Sequence, residues 1–139
     1  MLSVSTFTRG LINGLKITWE LGVVIVPVYI IITILKYTPI LGWIAELMKP
    51  AMHILGLPGE ASLPVVLGLV LNIYAAIGAI LSLSLSVKEI TIIAAIILLA
   101  HSLPMEAVVS KKSGAKVSTL LAARLLLAFG AGLLFNLVL

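Results

Sequence analysis

Cysteine is absent from all 139 residues. Its absence removes disulfides, thiolate metal sites and cysteine nucleophiles at once. Charge is scarce as well. Only 10% of the residues are charged and 62% are hydrophobic, where soluble domains average about 25% and about 45–50%. With a mean hydropathy of +1.31, this composition excludes an ordinary soluble domain and predicts an all-α integral membrane protein. Acid is scarcest, with five acidic residues against nine basic ones. Glu20, Glu46, Glu60, Glu89 and Glu106 therefore make up the whole supply of carboxylates. The two histidines, His53 and His101, are far apart in sequence, so no metal site is expected. No Walker loop, HExxH or GxSxG motif is present, and no serine carries a local nucleophile signature. Neither enzyme activity nor a cofactor is expected. The excess of positive charge does not point to nucleic acid. The basic residues are scattered at the ends of apolar runs, as in loops at a membrane surface. The first fifteen residues lack the apolar core and cleavage site of a signal peptide.

What the chain does contain is a succession of apolar runs separated by short polar marks. Residues 1–20 are mixed, with Leu11, Ile12 and Leu15 at helical spacing between Arg9, Asn13 and Lys16. They predict an interfacial helix, with Trp19 and Glu20 at the water boundary. The first span is expected near 21–36, with Pro27 inside it. Thr38 and Pro39 then give a helix start, a capping hydroxyl followed by proline. The segment 38–55 is amphipathic, with Glu46, Lys49 and His53 on its polar side, and is expected to lie in the interface plane. His53 should face solvent or headgroups. GLPGEASLP, at Gly56 to Pro64, predicts a tight re-entry turn, with Glu60 or Ser62 supporting the next helix start.

A second span is expected over 63–85. Gly68, Asn72, Ala75 or Ala76, and Ala79 would share a face that lets helices approach closely. Asn72 sits in its middle, where an amide must find a partner on another helix or on a substrate. The SLSLS run after Gly78 is expected to be a fraying helix end and not a strand. A third span is expected near 90–109 and a fourth over 117–139. On the fourth, Ala128 and Gly132 form a small-residue pair. Arg124, about two turns in, would snorkel or pair with an acid.

The stretch AHSLPMEAVVSKKSG, Ala100 to Gly114, concentrates the chemistry. Either Pro104 breaks the third span inside the membrane, or the helix runs on and carries Glu106 to depth. Glu106 would then exchange a proton or bind a cation. Alternatively it lies at the surface and pairs with Lys111 or Lys112. Asn72, Tyr74, His101, Ser102 and Glu106 are expected to line a site where the second span meets this segment.

GLPGEASLP, the following LGLVLNIYAAIGAI and AHSLPMEAVVSKKSGA resemble the nucleoside-recognition, or Gate, domain family. That family includes the spore maturation proteins A and B. Related segments occur in concentrative nucleoside transporters and in ferrous iron transport protein B. The resemblance covers about residues 15–139 and implies a single Gate-like membrane domain. The iron transporter's segments are associated with cysteine, which argues against ferrous iron here.

Threading four spans places Arg9, Lys16 and Lys88 on one side of the bilayer. Lys36, Lys49, Lys111, Lys112 and Lys116 fall on the other. Three against five is a small bias for the positive-inside rule. A chain this small has little surface for a complete path, and transporters often pair two inverted repeats around a midplane site. The expectation is a multi-pass protein of the cytoplasmic membrane. It would act as a homo-oligomer, an antiparallel homodimer among the options, on a small solute or ion. The competing expectation is a non-transporting assembly subunit that docks another membrane protein.

Overall fold

The computed structural model describes residues 4–139, except for the side chain of Lys36. The described residues form seven α-helices and one 3-10 turn, with no strand among them. Helix α1 (Val4–Lys36) runs unbroken for 33 residues, about 50 Å. The interfacial helix and first span expected as separate pieces are therefore one helix; residues 1–3 lie outside the described residues. Lys and Arg are good helix formers, so Arg9 and Lys16 colour the helix without stopping it. Thr8 and Thr18 return their hydroxyls to carbonyls four residues back, at 3.0 and 2.9 Å. Trp19 and Glu20 mark a change of environment and not a change of backbone. Every described residue from Val4 to Glu20 is exposed, so packing begins only in the second half of α1.

Thr38 and Pro39 do open α2 (Pro39–Ile54), but the Thr38 hydroxyl does not cap it. It donates backward to Leu35 O at 2.8 Å and closes α1 instead. Leu41 and Met52 are buried on one side of α2, and Glu46 and Lys49 pair at 3.3 Å on the exposed side. His53 is exposed, as expected. The Gly-Pro segment turns the chain through 91° before α3 (Ser62–Val70). Neither Glu60 nor Ser62 caps α3; the Ser62 hydroxyl is buried without a hydrogen-bond partner.

The stretch 63–85 is not one helix. Helix α3 stops at Val70, and α4 (Ile73–Ser82) begins after Asn72. Leu63 and Leu67 of α3 pack in one cluster with Ala79 and Leu83. A straight helix would hold Leu63 and Leu83 about 30 Å apart. The chain therefore doubles back at Leu71–Asn72 as a helical hairpin. The hydrophobic pattern could not show this, because both arms are apolar nearly all round. Residues 83–86 leave α4 as irregular chain and not as a strand.

Helix α5 (Val87–Ala100) opens on a capping box. Ser86 accepts from Glu89 N, and the Glu89 carboxylate accepts from Ser86 N at 2.6 Å. This S-x-x-E signature lies just ahead of the third span expected near 90–109. Ile92, Ile93, Ile96 and Ile97 of α5 form the buried centre. Helix α7 (Val117–Val138) lies along α5 and buries Ala128 and Gly132, the small-residue pair expected there. A methyl group at Gly132 would come within 2.9 Å of Ile96. At Gly78, a Cβ would stand 2.8 Å from the carbonyl of Ile25, which fixes how closely α4 approaches α1. Lys88 donates to Asn136 O at 3.0 Å, so the start of α5 meets the end of α7 and the two run antiparallel.

Three stretches are long and apolar enough to cross a membrane: Val4–Leu35, Val87–Lys112 and Val117–Val138. The bent pair formed by α2 and Gly59–Val70 would make a fourth only if counted as one crossing. Exposed Leu126, Leu127, Leu137 and Val138 on α7 have the composition of a lipid-facing surface. The protein is an all-α membrane protein.

Candidate functional site: two interrupted helices in contact

Within Val87–Lys112 the helix is broken at His101–Ser102, between α5 and α6 (Leu103–Lys112). Pro104 near the start of α6 cannot donate a backbone bond. Ser102 takes up φ 53°, ψ 39°, the one left-handed non-glycine conformation among the described residues. That conformation costs a serine about 1 kcal/mol or more. Two hydrogen bonds hold it. Ser102 N donates to Gly68 O at 3.0 Å, and Ser102 Oγ donates to Leu71 O at 3.0 Å. Both acceptors lie at the tip of the α3–α4 hairpin. A break in one helix is thus seated on a break in another.

Gly68 allows this contact. A Cβ there would stand 2.8 Å from the Ile97 side chain, so any larger residue would push the hairpin away from α5. On the hairpin itself, Asn72 is extended and its Oδ1 accepts from Ala75 N at 2.9 Å. Asn72 is the N-cap of α4. The expectation of an amide in mid-helix is corrected, because the partner it finds is its own backbone.

His101 places Nδ1 3.1 Å from Ile97 O, at the end of α5. Arg124, on α7, donates from Nε to Leu99 O at 2.8 Å and forms an ion pair from Nη1 to Glu106 Oε2. The two side chains are 21% and 30% exposed, so the pair is largely withdrawn from the surroundings. Glu106 therefore pairs with Arg124 and not with Lys111 or Lys112. A cavity of about 270 Å³ opens beside the break, lined by His101, Ser102, Met105, Glu106, Val109 and Ser110. No group of three or more potential metal ligands gathers among the described residues.

Of the residues expected at the site, His101, Ser102 and Glu106 share this cavity. Asn72 lies at the adjoining hairpin tip with its side chain committed to capping. Tyr74 is 43% exposed on α4 and does not line the cavity. The sequence reading missed the carbonyls of Gly68, Leu71 and Leu99, which no side-chain pattern reveals. It offered Arg124 a generic acid; Glu106 is the acid, the one carboxylate in the chain's second half besides the capping Glu89.

The family model for nucleoside recognition, named Gate, matches residues 18–116. That span holds the hairpin, the α5–α6 break and Glu106, and ends before Arg124. The chain is 43% identical over 132 residues to the uncharacterized membrane protein YvoD of Bacillus subtilis (strain 168). The match takes in 95% of this chain and 42% of the relative, so the chain spans less than half of the relative's length. No solved structure matches. The family match over most of the chain and the likeness to a bacterial membrane protein agree: this chain belongs to the Gate, nucleoside-recognition family of membrane proteins.

Proposed function

We propose that the chain is a gate-type transport protein of the cytoplasmic membrane. It would pass a small solute through a site at the junction of the α3–α4 hairpin and the α5–α6 break. The observation that carries this is the pair of hydrogen bonds from Ser102 to Gly68 O and Leu71 O. Helix interruptions within a bilayer are costly unless the backbone is buried in protein or lines a cavity. Midplane sites of transporters are built from such broken helices. Met105 and Val109 offer apolar contact in the cavity, while His101, Ser102 and Glu106 offer hydrogen bonds. That mixture suits a small polar molecule with an apolar face.

The topology supports a working unit of more than one copy. The α3–α4 hairpin enters and leaves on one side, so α1, α5–α6 and α7 make three crossings. An odd number puts the two ends of the unit on opposite sides. Two such units joined in tandem would be inverted with respect to each other. The relative's length leaves room for a second unit; a second, antiparallel copy of this unit would serve the same purpose. With three crossings, Arg9, Lys16, Lys111, Lys112 and Lys116 share one side, and Lys36, Lys49 and Lys88 the other. The first side would be cytoplasmic in the majority orientation.

The test is solute-dependent stabilisation of the purified protein, with nucleosides and nucleobases as the probe panel, followed by flux into liposomes. A raised melting temperature that Met105→Trp abolishes is the expected result. The alternative, an assembly subunit, draws on the exposed Val4–Glu20 half of α1. Co-purification of a fixed membrane partner, with no solute effect and no flux, would establish it in place of transport.

A further inference from the structure

Helix α5 ends at Ala100, so its last carbonyls have no partner within the helix. Glu106 sits one turn into α6, just across the break. Helix-end carbonyls are oxygen ligands that coordinate sodium ions or protons in transporters with broken helices, and a carboxylate beside them adds a negative charge. Here the arrangement already contains a cation. Arg124 reaches in from α7, gives Nε to Leu99 O and Nη1 to Glu106. The planar guanidinium fork satisfies a carbonyl and a carboxylate together, which a lysine ammonium on a flexible stem does less well. One positive and one negative charge cancel at this largely buried place, so an inorganic ion added there would be uncompensated.

We propose that Leu99 O and Glu106 form a monovalent-cation site whose permanent occupant is the Arg124 side chain, a tethered ion in the place of a free one. The protein then needs no sodium, lithium or potassium to hold its broken helix. The same contacts fasten α7 to both halves of the interrupted helix, one on each side of the break. This deepens the transport reading and rests on its site, but its readout is stability, which flux does not influence.

Removing the tether should uncover the ion site. The purified wild-type protein, Arg124→Ala, Arg124→Gln and the double variant Arg124→Ala/Glu106→Gln are melted in detergent at pH 8 and constant ionic strength. The salts are the chlorides of sodium, lithium, potassium or N-methylglucamine. Wild type should melt at one temperature in all four. Each Arg124 single variant should melt lower in N-methylglucamine and regain about 3 °C or more in at least one alkali salt, as linkage requires for an ion that binds only the folded form. The double variant, lacking the carboxylate charge, should again be indifferent to the salt. Arg124→Gln keeps polar bulk and a donor for Leu99 O, so it guards against a general loss of folding in Arg124→Ala. Single variants that fold yet ignore the cation, or that fail to fold in every salt, would overturn the proposal. So would a wild-type protein stabilised by an alkali ion over N-methylglucamine.

Discussion

The chain interrupts an apolar helix twice, at Leu71–Asn72 and at His101–Ser102, and manages the two differently. At the first, Asn72 takes an extended conformation and caps the next helix with its own side chain. The interruption is satisfied locally, and the chain reverses. At the second, Ser102 is left-handed and gives its own helix no cap. Its backbone N–H and hydroxyl donate to carbonyls of the first interruption, and the chain continues onward. One break can form by itself, whereas the other exists only once the hairpin is in place. Losing two hydrogen bonds would release the dependent break. The independent break supplies the fixed platform.

The sharpest way to break this comparison is topology, because its outcome is all or none. The natural absence of cysteine makes the chain ready for single-cysteine labelling with an impermeant reagent. Tyr37, Ser84 and Ser113 are exposed positions. If the first break reverses the chain, Tyr37→Cys and Ser84→Cys label from the same side, and Ser113→Cys from the other. Opposite labelling of Tyr37→Cys and Ser84→Cys would mean that 62–82 crosses, and the hairpin would be refuted. Partial labelling at all three sites from each face would establish both orientations, as the antiparallel pair requires.

The next effect in size concerns the ion pair beside the second break. Glu106→Ala leaves the Arg124 guanidinium largely buried without a counter-charge, at a cost of roughly 3 kcal/mol. Glu106→Ala combined with Arg124→Leu should cost clearly less than the sum of the single changes. Denaturant titration in mixed micelles measures both, and strict additivity would show that the pair does not act as a unit.

Smaller effects separate the two breaks themselves. Asn72→Ala removes a helix cap and should cost about 1 kcal/mol, while Asn72→Ser, which can still cap, should cost only a few tenths. Ser102→Ala loses the bond to Leu71 O but keeps the left-handed backbone, for about 1 kcal/mol. Ser102→Gly loses the same bond and relieves the backbone, so it should fall nearer to wild type. If Ser102→Gly were as damaging as Ser102→Ala, the left-handed conformation would carry no cost and the two breaks would differ less than they do here.

Much of this was legible in the sequence, and the exceptions have a common cause. The helix start at Pro39, the turn at Gly56–Pro64 and the paired Ala128 and Gly132 each rest on a local rule of backbone or side-chain size, and a break at Pro104 was one of two readings the sequence left open. His101, Ser102 and Glu106 were expected together and line one cavity. The unbroken run of α1 was missed because polar residues at a membrane boundary resemble a helix boundary. The hairpin was missed because an asparagine in an apolar run reads equally well as a buried amide or as a cap. Tyr74, expected at the site, does not line the cavity, because the hairpin sets the direction of α4 and no side-chain pattern shows the hairpin.

Composition alone determined that this is a membrane protein of helices, because no other backbone arrangement available to such apolar runs satisfies its hydrogen bonds in lipid. Local motifs determined most of the places where helices begin and end. Only the tertiary structure decided which way the chain goes at each break, which carbonyls Ser102 and Arg124 find, and that Glu106 belongs to Arg124. The reason is physical. Direction at a break is set by what the two arms pack against, and a carbonyl left free by a helix end leaves no mark in the sequence of side chains.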